Sequence, residues 1–174
     1  NFIMRYYKPS EVVGLDYSSQ TVKVAELLHK EVKHVSFRAG DAEHMPFDDN
    51  SFDLIINIES SHCYGNVGAF FQEVARVLKP GGTFTWADLG SAGMIENLNT
   101  AIGTAPLALL SETELTAGVA VSLDETSDRK QAQIGKRLVF GRFLNEFAAT
   151  KDTTIYKGIK SGAIRYLARR YTIN

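Results

Sequence analysis

The sequence predicts an α/β domain of the Rossmann-like type, with a mostly parallel sheet and an antiparallel last strand. Residues 54–56 form a short apolar run between polar residues, which suits a strand buried on both faces of a parallel sheet. Residues 83–87 alternate as a second strand, and the segment between the two strands has the spacing of an amphipathic helix. Strand, helix and strand over about 35 residues predict a right-handed βαβ crossover.

The helix of this crossover is predicted from apolar residues that recur at three and four positions. They are Val67, Phe70, Phe71, Val74, Val77 and Leu78. The sequence Lys79-Pro80-Gly81-Gly82 ends the helix, because proline cannot extend it and glycine adopts the left-handed conformation at its end.

The residues before the crossover continue the alternation of strand and helix. Residues 1–8 predict the end of a helix closed by the following proline, and residues 11–15 predict a strand with Asp16 at its carboxyl end. Residues 35–38 predict the next strand. Between the two strands we expect a helix capped by Ser18 or Ser19. Its expected buried stripe is Val24, Leu27 and Leu28.

The residues after the crossover carry a weaker pattern. Residues 94–117 predict a helix that a glycine and a proline break, and residues 119–123 predict a strand. Residues 127–161 predict two or three short helices, and residues 163–173 predict the final strand. We therefore expect a helical cover late in the chain.

Length and composition indicate one globular domain. The chain has 174 residues, of which 44% are apolar and 22% charged, as in an ordinary soluble protein with a substantial core. No stretch approaches the ~20 consecutive apolar residues of a transmembrane helix. One cysteine, Cys63, excludes an internal disulfide and fits a reducing compartment, so we expect a cytoplasmic location.

The two ends of the chain differ in charge. Residues 1–128 hold 8 basic and 18 acidic residues, whereas residues 129–174 hold 11 basic and 2 acidic ones. The acidic part is unlike a nucleic-acid binder. The basic tail could meet an anionic substrate, a carrier protein or a membrane surface, or its solvated charges could neutralise the acidic part.

Polar side chains follow the two strands of the crossover. They are Glu59, Ser60, Ser61, His62 and Asp88. Ligands bind at the carboxyl ends of strands in such sheets, so chemistry is expected there. His62 is a candidate general base, because histidine titrates in the useful range. The alternative is a histidine that packs or forms hydrogen bonds without taking a proton.

Two other kinds of site are excluded. A Ser-His-Asp hydrolase is not indicated, because Ser61 and His62 are neighbours and no G-x-S-x-G elbow is present. No H-E-x-x-H motif or paired cysteine spacing indicates a metal site.

This chain resembles the class I S-adenosylmethionine-dependent methyltransferases over residues 11–90. The segments that carry the resemblance include FDLIINIESSHCY and FFQEVARVLKPGGTFTWADL. The L-K-P-G-G turn after an amphipathic helix is highly characteristic of that superfamily. Upstream, VVGLDYS and GDAEHMPF resemble two further motifs in the same order. Within the superfamily the chain is most similar to the small-molecule branch that includes the phthiotriolone and fatty-acid O-methyltransferases.

The resemblance implies a single domain over residues 1–174 that transfers a methyl group from S-adenosylmethionine to an oxygen atom. The implied acceptor is a small lipophilic or polyketide-like molecule, and a homodimer is compatible with the family. Similar enzymes carry a strand and a glycine-rich loop directly before a helix like the one predicted at residues 1–8. Only 15 residues precede Asp16, so we expect this loop to be missing or to lie upstream of Asn1.

The resemblance also implies cofactor contacts, with the ribose at the first strand and the adenine after the second. The implied residues are Asp16, Tyr17, Ser18, Asp41, Ala42, Glu43, Glu59 and Ser60. For Asp16 the alternative is a helix cap or a solvated turn, and for Asp41 it is a turn-forming aspartate after glycine.

The implied acceptor contacts are His62, Tyr64, Phe143 and Phe147. In similar enzymes, helices inserted before the last strand cover the acceptor, which here corresponds to residues 94–161. Phe140 and Tyr156 could also face a lipophilic acceptor. Aromatic residues at helical spacing more often form a core, so that alternative stays open.

Two rival functions remain from the sequence alone, because a fold does not fix a reaction. One is a cyclase of the same fold, whose product carries no added methyl group. The other is a non-catalytic cofactor-binding or partner protein without the glycine-rich loop.

Overall fold

The structure is a computed structural model that describes residues 2–134 and 153–173, and residues 127–134 by their helical backbone alone. The strands are β1 (Val12–Asp16), β2 (Val35–Ala39), β3 (Phe52–Ile58), β4 (Leu78–Ser91), β5 (Leu107–Glu114) and β6 (Ile164–Ile173). The helices are α1 (Phe2–Tyr7), α2 (Ser19–His29), α3 (Val67–Val77), α4 (Ala92–Ile102), α5 (Thr116–Ile134) and α6 (Thr154–Ser161), with a 3-10 turn at Ser61–Cys63.

The strands run in the predicted directions. β1 and β2 pair in parallel as a two-stranded sheet, and a four-stranded sheet has the order β3-β4-β6-β5. β3 is parallel to β4, whereas β6 is antiparallel to both of its neighbours. The predicted mostly parallel sheet with an antiparallel last strand is confirmed.

Helix α3 packs its predicted apolar face on the four-stranded sheet. Phe70 and Phe71 are almost completely buried, and the centres of their rings lie 5.9 and 6.2 Å from the ring centre of Phe84 on β4. Burial of side chains of this size stabilises the fold by about 1.5–3 kcal/mol each. The helix ends before the predicted turn, in which Gly81 adopts a left-handed φ of 74°.

Helix α2 and strand β3 are less buried than predicted. Ser18 caps α2 as expected, but Val24, Leu27 and Leu28 are 51–71% exposed. α2 packs mainly against β1 and β2, and two strands are too narrow to cover its whole apolar face. On β3, Leu54 and Ile56 are also exposed. The face of β3 that carries these two residues is therefore exposed, and the prediction of burial on both faces was wrong.

The segment after β4 corrects two further predictions. Residues 107–114 form strand β5, where the sequence predicted a broken helix. The predicted strand at 119–123 lies inside helix α5 instead, and the N–H of Val119 donates to the carbonyl oxygen of Leu115. The expected helical cover over residues 94–161 is therefore interrupted by a strand of the main sheet.

Cations of the basic tail pair with acidic residues of the preceding part. Arg169 Nε lies 2.7 Å from Glu112 Oε2, and Lys160 Nζ lies 2.7 Å from Asp124 Oδ2. The hydrogen bond from Arg165 lowers the pKa of Glu114 to about 2. These contacts favour the interpretation in which the tail neutralises the acidic part, although exposed pairs add little stability.

Arg76 of α3 holds the loop that follows β2. Its guanidinium donates to the carbonyl oxygens of Phe47 at 2.8 Å and Met45 at 3.0 Å, and to the carboxylate of Glu73 at 2.7 Å. Glu73 also accepts the backbone N–H of Met45 at 2.6 Å. The hydrogen bond from Arg76 is the main cause of a lowered pKa of Glu73. The loop is thus attached to α3 by charge-assisted hydrogen bonds.

Replacing Glu73 with glutamine is expected to lower the free energy of unfolding near neutral pH by about 1–2 kcal/mol, because the network loses its carboxylate. The folded-state pKa of Glu73 lies below the ordinary value of 4.5. Its contribution is therefore complete above that pH and is lost as the pH falls through the folded-state value. Urea unfolding of both proteins at neutral and at acidic pH measures the difference, which should shrink in acid.

The matched control is Asp53→Asn, which breaks the exposed pair with Lys79 and should cost less than about 0.5 kcal/mol. Equal stability of the Glu73→Gln protein and the wild type at neutral pH would contradict the assigned role of Glu73.

Candidate active site

A fully buried carboxylate lies near the end of β4. Asp88 is 1% exposed and accepts four hydrogen bonds. Its Oδ2 accepts from Ser61 Oγ at 2.6 Å and from the backbone N–H of His62 at 3.1 Å. Its Oδ1 accepts from His62 Nδ1 at 2.6 Å and from the backbone N–H of Leu89 at 2.9 Å. Four donors compensate for the loss of water around a buried carboxylate.

The contact with Asp88 defines the state of the His62 ring. A carboxylate can only accept, so Nδ1 carries the proton in this hydrogen bond. In the neutral ring, Nε2 is then the unprotonated nitrogen, and it has no hydrogen-bond partner in the part of the chain that the structure describes. The side chain is 28% exposed. His62 is therefore oriented by a buried acid and presents a basic nitrogen.

Ser61 has a structural role, and its position does not suit a nucleophile. It is 2% exposed, its hydroxyl donates to Asp88, and it accepts from Trp86 Nε1 at 2.8 Å. A serine hydrolase needs the serine hydroxyl hydrogen-bonded to the histidine base. Here serine and histidine share the same carboxylate instead, which supports the exclusion of a hydrolase.

The segment between β3 and His62 has an unusual backbone at Glu59. Its φ is 51°, in the left-handed region that residues other than glycine rarely adopt. Its backbone N–H donates to the carbonyl oxygen of Ala87 at 2.8 Å, and its Oε1 accepts from the hydroxyl of Tyr166 at 2.8 Å. Glu59 thus turns away from the strand direction next to the buried acid of β4.

Ser60 and Tyr64 lie in a second polar network. Their hydroxyl oxygens are 3.0 Å apart, and the Tyr64 hydroxyl accepts from Asn57 Nδ2 at 2.8 Å. The Tyr64 ring packs edge-on against the ring of Phe70, and the two ring centres are 4.9 Å apart. One side of Tyr64 therefore belongs to the core, and its hydroxyl lies beside the end of β3.

Asp16 and Asp41 come together at the carboxyl ends of β1 and β2. The N–H of Gly40 donates to the carbonyl oxygen of Asp16 at 3.0 Å. Asp16 Oδ1 accepts the N–H of Ser18 at 2.8 Å, and Asp41 Oδ1 accepts the N–H of Glu43 at 2.9 Å. Each carboxylate thus uses one oxygen to shape its own turn.

Glu43 connects the loop after β2 to the segment that follows β3. Its Oε1 accepts the backbone N–H of Asn66 at 2.9 Å, immediately before α3. The loop after β2 is therefore fixed to the segment after β3 both here and through Arg76. Tyr17, beside Asp16, is 83% exposed.

Comparison with known proteins identifies the relatives of this chain. Residues 2–86 match the family model for a methyltransferase domain. The phthiotriol/phenolphthiotriol dimycocerosates methyltransferase of Mycobacterium tuberculosis is 33% identical over 168 residues, which are 95% of this chain and 62% of the relative. Over residues 2–86 the chain is therefore similar to methyltransferase domains. A fatty-acid O-methyltransferase of Mycolicibacterium smegmatis is 32% identical over 78% of this chain and 49% of that protein.

These curated relatives are longer, and the methyltransferase-like chain spans less than two thirds of their length. A solved geranyl diphosphate C-methyltransferase from Streptomyces coelicolor, described with Mg²⁺, geranyl diphosphate and S-adenosyl-L-homocysteine, matches 99% of this chain and 66% of its own. Its TM-score is 0.74 and its identity 16%. At that identity the likeness establishes the fold alone, which confirms the predicted Rossmann-like methyltransferase architecture.

The predicted site residues fall into two groups. At the ends of β1 and β2 lie Asp16, Tyr17, Ser18, Asp41, Ala42 and Glu43. After β3 lie Glu59, Ser60, His62 and Tyr64. Phe140, Phe143 and Phe147 lie outside the described residues. Tyr156 belongs to α6, and its hydroxyl donates to Asp124.

Sequence reasoning missed two partners. Asp88 was placed at a strand end, but its hydrogen bond to His62 was not predicted. No sequence pattern indicated the contact between Tyr166 and Glu59, because 107 residues separate them. Across residues 2–134 and 153–173, no three His, Cys, Asp or Glu side chains form a metal-binding group, and no helix is long and apolar enough to cross a membrane.

Replacing Asp88 with asparagine should lower the free energy of unfolding by about 2–4 kcal/mol. The NH2 of the amide would face N–H and O–H groups that now donate to the carboxylate, so buried donors would be left without an acceptor. The His62 ring should also lose its fixed tautomer. Denaturant unfolding measures the first effect, and nitrogen-15 NMR of the imidazole measures the second.

Asp48→Asn is the control, since Asp48 is exposed and should change stability by less than about 0.5 kcal/mol. An Asp88→Asn protein with wild-type stability and an unchanged imidazole spectrum would show that Asp88 does not fix the ring.

Proposed function

We propose that this chain carries the site of an S-adenosylmethionine-dependent O-methyltransferase acting on a small lipophilic acceptor. The observation that carries the proposal is the hydrogen bond between buried Asp88 and His62, which leaves Nε2 able to accept a proton. The names of the relatives support a lipophilic acceptor, since they refer to phthiotriol dimycocerosates and fatty acids.

The residues at the ends of β1 and β2 fit the adenosyl part of the cofactor. Asp16 and Asp41 each hold a backbone N–H with one oxygen, and the other oxygen has no hydrogen-bond partner among the described residues. A carboxylate with a free acceptor suits two ribose hydroxyls at Asp16 and an exocyclic amino group at Asp41. We assign Tyr17, Ser18, Ala42 and Glu43 to the same subsite, and Glu59 and Ser60 to the amino-acid end.

His62 supplies the proton acceptor for a hydroxyl substrate. S-adenosylmethionine, when bound, supplies a methyl group on a positively charged sulfur. The Nε2 atom of His62 takes the hydroxyl proton as the oxygen becomes a nucleophile. Asp88 keeps the Nδ1 proton in place and stabilises the positive ring that results. Tyr64, with its hydroxyl beside Ser60, then forms part of the acceptor wall.

Replacing Asp16 with alanine should weaken the binding of S-adenosylhomocysteine at least about tenfold, because a charged acceptor of two hydroxyl groups is removed. Isothermal titration calorimetry of the product cofactor into each protein measures the loss. Asp48→Ala, in an exposed loop, is the control and should bind like the wild type. Equal affinity of the Asp16→Ala and wild-type proteins would remove Asp16 from the site.

Replacing His62 with alanine should lower turnover of a long-chain alkylphenol by roughly 10²–10⁴-fold, because the general base is lost. The affinity for S-adenosylhomocysteine should stay within about twofold of the wild type. Transfer of a labelled methyl group, checked by product mass, measures the rate. Unchanged turnover would exclude His62 as the base, and a wild-type product without an added methyl group would favour the cyclase.

The control is His34→Asn, an exposed histidine next to the amino end of β2, the end opposite the site. Its φ is 60°, and asparagine tolerates that conformation. This variant should keep wild-type turnover.

A further inference from the structure

Tyr166 is a buried tyrosine whose hydroxyl reaches the proposed site from the last strand. It lies on β6 opposite Leu89 and is 8% exposed. Its hydroxyl donates to Glu59 Oε1 at 2.8 Å. Burial, and then the hydrogen bond to Glu59, raise the pKa of the phenol well above its ordinary value. The hydroxyl group therefore remains a donor throughout the physiological pH range.

The backbone of Tyr166 is held independently of its side chain. Its N–H donates to Thr116 Oγ1 at 2.9 Å, and its carbonyl oxygen accepts the N–H of Leu115 at 2.8 Å. Thr116 is the first residue of α5, and Leu115 directly precedes it. Together with pairing to β4, these contacts fix the backbone of Tyr166. Because the ring is also buried, the phenol is a rigid donor.

Glu59 is the exposed partner of this contact. Its left-handed backbone is strained for a residue with a side chain, and such strain is concentrated at ligand sites. Tyr166 occupies Oε1, whereas Oε2 has no hydrogen-bond partner within the described residues. A carboxylate held by one oxygen at a strand end can bind a cationic group with the other.

We propose that Tyr166 is a positioning residue that aims the free oxygen of Glu59 at the ammonium group of the amino-acid portion of the cofactor. The inference rests on the proposed function, because it assumes that S-adenosylmethionine binds at these strand ends. It follows from the placement of Glu59 after β3, whereas Asp16 and Asp41 occupy the ends of β1 and β2. The pair Asp16 and Asp41 and the single carboxylate of Glu59 then bind opposite ends of one ligand.

The test compares two ligands that differ in the amino-acid portion. Tyr166→Phe should weaken S-adenosylhomocysteine binding by about 5- to 20-fold, since a hydrogen bond to a charged group is lost. Adenosine, which has no ammonium group, should bind within about twofold of the wild type. Glu59→Gln should show the same ligand preference. In the Glu59→Gln background, the Tyr166→Phe change should add less than about twofold, because Tyr166 acts through Glu59.

Tyr171→Phe is the matched control. Tyr171 is another buried tyrosine of β6, 4% exposed, whose hydroxyl accepts from Arg169 instead of contacting Glu59. Its loss should leave the affinities for both ligands unchanged. This comparison separates the loss of a buried hydroxyl from the loss of the contact with Glu59.

Three results would overturn the inference. Tyr166→Phe could bind S-adenosylhomocysteine as the wild type does, could lose both ligands equally, or could act independently of Glu59→Gln. If Tyr166→Phe fails to fold, Glu59→Gln alone decides, because it must lose S-adenosylhomocysteine selectively. A wild-type protein that binds neither ligand would reject the proposed function itself, whereas one that binds both and is insensitive to Tyr166→Phe rejects the inference alone.

Discussion

Four hydrogen bonds to the buried carboxylate of Asp88 determine the geometry of the proposed active site. The turn after β3 carries Ser61 and His62, and both are attached to this one side chain of β4. Trp86 extends the network by donating a hydrogen bond to the Ser61 hydroxyl. Each donor satisfies part of a charge that would be costly to bury alone, so the members of the network depend on each other. The orientation of the histidine is thus a consequence of core structure.

The sequence was informative where local pattern and topology coincide. The βαβ unit was predictable because its helix has a strongly apolar face and ends in a proline-glycine turn. The candidate site followed from the rule that parallel strands place their carboxyl ends together. The register Ile58 opposite Ala87 then makes Glu59 and Asp88 neighbours. Strand alignment to one residue was the missing information, and it explains why His62 was predicted without its acid.

Other features depend on contacts that are distant in the sequence. Residues 107–110 are apolar and compatible with a helix, but they belong to a strand because β6, more than 50 residues later, pairs with its backbone. Further along the same strand, Glu112 and Glu114 accept hydrogen bonds from Arg169 and Arg165 of β6. Conversely, residues 119–123 alternate like a strand but lie in α5. The intrinsic preference of a short segment for helix or strand is weak enough for tertiary contacts to override it. The contact of Tyr166 with Glu59 has the same origin, since it requires the last strand to lie beside β4.

The distance between the two halves of the proposed site is set by contacts of the loop after β2 with helix α3 and the residue before it. The ends of β1–β2 and β3–β4 belong to separate sheets in the described part of the chain, so strand pairing does not fix their separation. That role passes to Glu43, which binds the start of α3, and to Arg76 and Glu73, which hold the backbone of Met45. An in-line methyl transfer is sensitive to alignment at the scale of an ångström. Loosening these contacts should therefore impair catalysis even though Asp16, Glu59 and His62 all remain in place.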